Sequence, residues 1–378
     1  MMDEFDFMLS EDQIDLRNVV RDWSQNKVMP ACQKAEIDGN VPDELVREAF
    51  DMGLHLVTIP EEYGGLGMSN LTHAILREEV GRADGGFASR VFGFGWEPFE
   101  MTGTEEQKHM VADALIPGGI IGYALTEETG SDAVNMKTTA KKVGNQYVIN
   151  GTKTFISNAD SAEFFVLFAF TDKEKGPKGM TAFLLPKDAP GLTRGLPENK
   201  MGNRCVHVCS LFLDDVVLDE KYRLGEEGQG YSLSMNILHR SRPCAAAVAV
   251  GIAEQALQEA IKYAKERVVF GRPIWQHEGI GFLLADMDMR VQQARQLVWA
   301  ACKSLDAGIV NKKLSSEAKC AASDAAMFCA ENAVQVMGGS GYMREYPVEK
   351  LMRDAKIYQI FEGTNQIQRL IVSGQLCR

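Results

Sequence analysis

Apolar positions change their spacing twice along the chain, and the two changes divide it into three. Through about residue 118 they recur at helical intervals. Ile14, Leu16, Val19, Val20 and Trp23 form one stripe behind a capped start at Ser10, with Glu11, Asp12 and Gln13 in the first turn. Pro30 is expected to end this helix. A second is predicted after Val41-Pro42, carrying Leu45, Val46, Phe50 and Met52, and the turn over 60–65 closes the pair. An amphipathic helix is expected over 71–80, and Thr104-Glu105-Glu106-Gln107 opens another with acid in its first turn.

From about Gly119 to Glu227 the period becomes strand-like, with turn residues at short intervals. Tyr147-Val148-Ile149, then Asn150-Gly151, then Thr154-Phe155-Ile156 read as a hairpin, and 164–170, 181–185 and 211–218 as further strands. From about Gly230 helical spacing returns over 245–264, 280–307, 315–337 and onward from Thr364, with Ala-rich faces that predict a bundle. The expected class is α+β: an N-terminal helical domain over 1–118, a middle β-barrel-like domain over 119–228, and a C-terminal four-helix bundle over 229–378.

At 378 residues, 45% hydrophobic and 24% charged, the chain is long enough for two or three packed units. A formal charge of -12 argues against nucleic acid or an anionic membrane as a partner. Met1-Met2-Asp3-Glu4-Phe5-Asp6 has no basic region followed by an apolar one, so no signal or transit peptide is visible. The longest apolar run, beginning at Cys244, is too short to span a bilayer, and a cytoplasmic location is expected. Eight cysteines without a CxxC pair read as free thiols. Cys205, His207 and Cys209 alternate like a ligand set, but at period two in a β-rich stretch they read as one strand face, and no metal is expected.

Candidate chemistry concentrates near the end of the chain. In Ile357-Tyr358-Gln359-Ile360-Phe361-Glu362-Gly363-Thr364, a carboxylate stands between an apolar run and a flexible glycine, where burial turns a carboxyl into a general base. Thr364 is placed to cap the helix that follows. Read alone, the pattern is weak and Glu362 is an ordinary helix-entry glutamate. A second concentration is aromatic: Phe87, Phe92, Phe94, Trp96 and Phe99 crowd together in a chain that is 8% aromatic. They form either a helix-packing core or the wall of a pocket. Within that patch Arg90 is a candidate anchor for a distal substrate carboxylate and Glu97 a second pocket carboxylate; both also read as solvated or structural charges.

The block 341–369 resembles the C-terminal signature of the acyl-CoA dehydrogenases. So do 60–65, 123–127 with Gly130-Ser131-Asp132, 150–158, Glu266-Arg267 with Phe270-Gly271, and 335–339, in the family's order over almost the whole chain. The resemblance implies helical, β and helical domains and the 2,3-dehydrogenation of an acyl-CoA. FAD is the implied hydride acceptor, and no GxGxxG follows a strand to suggest nicotinamide. It also implies a homotetramer, and an electron-transfer flavoprotein or similar carrier as oxidant.

By the same resemblance Glu362 is the catalytic base, and its backbone amide holds the thioester oxygen together with a ribityl hydroxyl of FAD. Tyr123, Leu125 and Thr126 match contacts of the isoalloxazine ring, Ser131 reaches FAD phosphate or the CoA chain, and Phe155 and Ser157 flank the ring's reactive edge. Arg267, Phe270, Gln335, Gly339, Thr364 and Gln366 match positions that hold FAD, Arg267 across a subunit boundary. Arg242, Phe361 and Gly363 fall at substrate positions, Arg242 near the pantetheine, where a structural ion pair is the alternative.

The chain departs from the family's pattern at four places. The loop 126–132 is one residue short and lacks a proline, Phe155 replaces a common Trp, Glu278 a common Gln, and His239 a common Asp. The implied acyl group is short or compact first, cyclic or aryl next, and dicarboxylic with Arg90 as anchor third. The same motifs also serve a 2-enoyl-CoA reductase or an oxidase. A non-catalytic flavoprotein is a reading of another class, which Glu362 and the FAD positions argue against.

Overall fold

A computed structural model describes residues 5–377. The acidic start over 1–4 lies outside the described residues. The N-terminal helices are α1 (Glu11–Trp23), α2 (Met29–Ala35), α3 (Asp43–Asp51), α4 (Asn70–Ala83), α5 (Gly85–Phe92), α6 (Glu97–Thr102) and α7 (Glu105–Leu115). α1 and α7 each begin in a reciprocal cap, Ser10 with Gln13 and Thr104 with Gln107, which satisfies two orphan amides at each end.

Pro30 does not end the first helix. A wide π turn over Ser24–Val28 leads into α2 with Pro30 in its first turn, where the missing N–H is one a helix start leaves unpaired anyway. Nor is α4 amphipathic. Twelve of its fourteen residues are buried, because α1 covers one side while α8 (Gly230–Glu266) and α9 (Glu278–Asp306) cover others. Its polar residues His73, Arg77, Glu78 and Glu79 are therefore interior groups that need partners.

The middle sheet contains β1 (Ile121–Ala124), β2 (Thr139–Val143), β3 (Gln146–Ser157), β4 (Phe164–Phe170), β5 (Met180–Pro186), β6 (Leu192–Arg194), β7 (Val208–Asp219) and β8 (Arg223–Leu224). Its order is β6-β7-β3-β2-β4-β5-β8, with β1 parallel to β4. Asn150-Gly151 makes no turn. β3 runs through it with a register shift against β7, and Asn150 exchanges hydrogen bonds of 2.9 Å with Asp215 on that strand. The hairpin lies at Gly144-Asn145, between β2 and β3. An Asn-Gly pair supplies a backbone that bends, and here the bend is a bulge inside a long strand.

After α8 come a short ribbon of β9 (Val268–Val269) and β10 (Arg272–Pro273), then α9, α10 (Lys312–Met337), α11 (Val348–Tyr358) and α12 (Asn365–Leu376). α8, α9 and α10 pack side by side, α11 and α12 lie on α10, and α4 packs against α8, so both helical regions share one core. α8 is long and apolar enough to cross a membrane by length and composition, yet 78% of that stretch is buried inside the protein.

A buried ion cluster ties the three regions together. Lys350 of α11 lies 2.6 Å from Asp84, which caps α5, and pairs also with Asp354. Asp354 accepts from the amide of Asn203, in the β6–β7 connection, at 2.5 Å. Cys205 faces Asp84 while His207 turns out to Asp160 at 2.6 Å, so Cys205, His207 and Cys209 do not converge. Cys205 and His207 also precede β7, and only Cys209 lies on it. Cys32, Asp84 and Cys205 do come within 4.8 Å of one another, but Asp84 is already held by Lys350.

Removing one partner of a buried ion group leaves uncompensated charge, which costs about 3–5 kcal/mol. Lys350→Met is expected to lose that much in urea unfolding at pH 7. Burial already pushes the Asp354 carboxyl above the usual range, and a protonated carboxyl needs no cation. The deficit of the variant should therefore narrow as pH falls toward about 5.

Candidate functional site

The site is built on the turn between α11 and α12. Glu362 sits in the left-handed region at φ +58 and Gly363 follows at +88. For a glutamate that conformation costs of order 1–3 kcal/mol and persists only where its surroundings impose it. Three groups do so. Arg242 Nε and Gln368 Nε2 donate to the Glu362 carbonyl at 3.0 and 3.1 Å, while Lys319 Nζ and Gln368 Nε2 donate to the Gly363 carbonyl at 2.9 Å. A Cβ on Gly363 would lie 2.8 Å from Gln368 Nε2. Thr364 caps α12, accepting from the Ile367 amide.

With both carbonyls drawn inward, the Glu362 amide makes no hydrogen bond among the described residues. Ser241 Oγ donates to Glu362 Oε2 at 2.8 Å and leaves Oε1 without a donor among the described residues. Burial pushes the carboxyl above the usual range; Ser241, then Arg242, Arg77 and Lys319, pull the other way without cancelling it. Lys319 is itself lowered to about 8 by burial. Arg242 is 1% exposed, and its Nη1 donates to His239 Nδ1 at 2.8 Å. His239 is held near 4, first by burial and then by Arg242, so it accepts as a neutral ring. Arg242 therefore clamps the turn from beneath. Phe361 packs edge-on against Tyr358 at 5.0 Å.

The positions assigned to the flavin ring gather at the end of β3. The Thr154 amide donates to the Thr126 carbonyl at 2.9 Å, laying β3 beside the chain that leaves β1. Phe155 is held at φ +57 with 67% of its surface exposed, and Ser157 projects outward two residues on. An apolar ring held outward by strained backbone, between Thr126 and Ser157, fits the planar ring of FAD. Leu125 is buried, and its carbonyl accepts from Lys153 Nζ at 3.2 Å.

That lysine was missed as a site residue although it stands inside a quoted motif. It lies wholly buried, 2.8 Å from Glu127, whose carboxylate also accepts from Thr138 and the Lys137 amide. Burial lowers Lys153 to about 8. Burial also works against ionising Glu127, and Lys153 with these donors outweighs it. The shortened loop is thus pinned from inside at Glu127, and Ser131 is exposed on its far turn. The Tyr123 ring turns the other way, stacking on Phe94 at 4.5 Å and donating to the Ser234 carbonyl at 3.4 Å.

The remaining FAD positions are not gathered at this turn. Arg267, Phe270, Gln335, Gly339 and Gln366 are exposed on the β9–β10 ribbon, at the end of α10 and on α12, Phe270 at 93%. Glu278 is exposed in the first turn of α9. Val268, Trp275, Phe282 and Met289 are exposed nearby in sequence, the last two one heptad apart on α9.

On the acyl side most of the aromatic patch is core. Phe87, Phe92, Trp96 and Phe99 are buried, and Phe94 alone of the five is part-exposed, against Tyr123. Arg90 is part-exposed in the last turn of α5. Arg77 of α4 is the arginine with electrostatic reach to both Glu362 and Glu97. Sequence reading passed over Arg77, Ser241, Lys319 and Gln368. The available signal was a charged or polar residue recurring on an otherwise apolar helix face.

Family models for the N-terminal, middle and C-terminal domains of acyl-CoA dehydrogenase match residues 10–119, 122–216 and 228–377. An acyl-CoA dehydrogenase of Bacillus subtilis is 41% identical over 373 residues, covering 97% of this chain and 98% of that protein. Butyryl-CoA dehydrogenase of Megasphaera elsdenii superposes with a TM-score of 0.95 at 38% identity, covering both chains fully. A glutaryl-CoA dehydrogenase in complex with glutaryl-CoA reaches 0.94 at 32% identity, over 100% of this chain and 97% of that one. With matches of this extent in all three regions, the chain belongs to the acyl-CoA dehydrogenase family.

Proposed function

We propose that this protein introduces a 2,3 double bond into an acyl-CoA thioester of short or compact acyl group, with Glu362 as the base that removes the α-proton. FAD is the cofactor, and when bound it supplies the acceptor for the β-hydride that no side chain offers. The observation that carries the reading is a desolvated carboxyl on a strained turn whose own amide is unengaged.

Each feature of the turn has a task in that chemistry. Oε1 takes the proton, because Oε2 is already occupied by Ser241. A carboxyl raised by burial is a better base than one in water, and exclusion of water by the bound acyl chain raises it further. The Glu362 amide is free to donate to the thioester oxygen as enolate charge develops there. Arg242, Gln368 and Lys319 hold amide and carboxyl in a fixed relation, so little reorganisation is needed during proton removal.

The same reading extends to the exposed positions. Phe270, Trp275, Phe282 and Met289 are exposed apolar side chains that a homotetramer would cover, bringing Arg267 and Gln335 to a neighbouring subunit's FAD. An electron-transfer flavoprotein or similar carrier then reoxidises the cofactor. Eight unbridged cysteines support a reducing, cytoplasmic setting.

Two variants test the base. Glu362→Gln should keep FAD bound, read by its visible absorbance, while anaerobic reduction by substrate slows by about 1,000-fold or more. Undiminished reduction would remove Glu362 from the mechanism. Ser241→Ala deletes a hydrogen bond to the ionised carboxylate, so the acidic limb of the kcat/KM profile should move to higher pH. Activity near pH 6 then drops several-fold, with little change near pH 9.

A further inference from the structure

Two buried cations hold the Glu362 turn, and neither forms an ion pair with a carboxylate among the described residues. Arg242 Nε donates to the Glu362 carbonyl at 3.0 Å and Nη1 to His239 Nδ1 at 2.8 Å. Lys319 Nζ donates to the Gly363 carbonyl and to Asn365 Oδ1, both at 2.9 Å. All four partners are neutral. Elsewhere in the interior such charge is matched: Lys153 lies 2.8 Å from Glu127, and Lys350 lies 2.6 Å from Asp84. A buried cation without a counter-ion carries a large desolvation cost, so two of them at one turn set that turn apart.

His239 is neutral by geometry. A guanidinium has only donors, so the ring nitrogen it meets accepts, and the proton of the ring sits on Nε2. His239 and Arg242 stand three residues apart on α8, where side chains share one face. An aspartate at 239 would make an ion pair there, whereas the imidazole orients the guanidinium and leaves its charge unmatched. Burial works against the charge of Arg242, and the group that most favours it is Glu362, ahead of Tyr123 and Cys320. Burial keeps those two protonated. The other charge facing His239 is Lys312, at the start of α10. Around Glu362 the charged neighbours are Arg242, Arg77 of α4 and Lys319, with Glu97 as the second carboxyl in reach. Asp324 bears on Lys319 but is held by Arg369 at 2.8 Å.

We infer that His239 is a positioning residue, a neutral acceptor that holds the Arg242 guanidinium against the Glu362 turn without neutralising it. This role rests on the dehydrogenase reading and adds a residue to it. The charge left on Arg242 stabilises the Glu362 carboxylate before the reaction. When the α-carbon gives its proton to Oε1, the C–H electron pair moves into the thioester, and the negative charge passes from carboxylate to enolate oxygen. That oxygen lies at the amide of the same residue, so one fixed cation serves both ends of the transfer and need not move between them. The arrangement costs stability, because a buried guanidinium stays unmatched to do this.

The test compares the wild-type holoenzyme with His239→Asp and with the neutral acceptor His239→Gln. The pH dependence of kcat/KM is read with whichever CoA thioester of butanoic, pentanoic or 2-methylpropanoic acid bleaches the flavin fastest, and Tm is read by thermal unfolding. A carboxylate at 239 cancels Arg242 and repels the Glu362 carboxylate, so Glu362 is protonated at higher pH. The acidic limb of His239→Asp should therefore rise by about one pH unit, a roughly tenfold loss below the limb with little change above it. The same variant should unfold a few degrees higher, since it matches a buried cation. His239→Gln should keep the wild-type limb and Tm. An unmoved limb in His239→Asp overturns the role. So does a rise in KM that is equal at every pH, which marks a substrate contact, or a limb that moves as far in His239→Gln, which marks the shape of the ring. Loss of folding or flavin in His239→Asp overturns it as well, because a carboxylate beside an unmatched guanidinium has to stabilise the protein. Failure of every thioester to bleach the wild-type flavin would instead overturn the dehydrogenase reading itself.

Discussion

The clamp on the Glu362 carbonyl is the constraint on which the site depends. A glutamate does not adopt a left-handed backbone unaided, and here Arg242 from α8, Gln368 from α12 and Lys319 from α10 impose it together. Each donor comes from a different helix, so the turn is correct only when the bundle is assembled. Its consequence is directional. With the carbonyls drawn into the protein, the amide and one carboxyl oxygen are left without hydrogen bonds among the described residues.

Buried charge is the recurring material of this fold, and each instance is tied to a junction. Lys350 with Asp84 and Asp354 joins the N-terminal helices, a loop of the β region and α11. Lys153 with Glu127 fixes the loop beside the end of β3. Arg295 lies between Glu78 of α4 and Glu254 of α8. Such groups contribute little net stability but penalise misassembly heavily, since a displaced element strands a charge in the interior.

The elements that sequence reading placed well are those decided locally. Ser10 and Thr104 cap their helices because a cap needs only the residues of its own first turn. The long helices and most strands follow from periodic burial, whereas Glu362 became a candidate base through the motif that surrounds it, its own apolar run and glycine being a weak signal. Motif order over the whole chain carried the family. The misreadings have a common origin. Pro30 and Asn150-Gly151 signal a local departure from regular geometry but not its form, which became a π turn in one case and a bulge in the other.

What only the tertiary structure decided is which side chains meet across long separations. The sequence by itself marked the changes of period, the capped helix starts at Ser10 and Thr104, and Glu362 and Phe155 as candidates. It did not show that Arg242 lies under Glu362, that Ser241 donates to its carboxylate, or that α4 is enclosed by other helices on several sides. The physical reason is that periodicity records the average burial of a helix face, whereas the pairing of one polar atom with another depends on where a second helix passes. Arg77 looks like an ordinary surface arginine until α8 and α9 close over it.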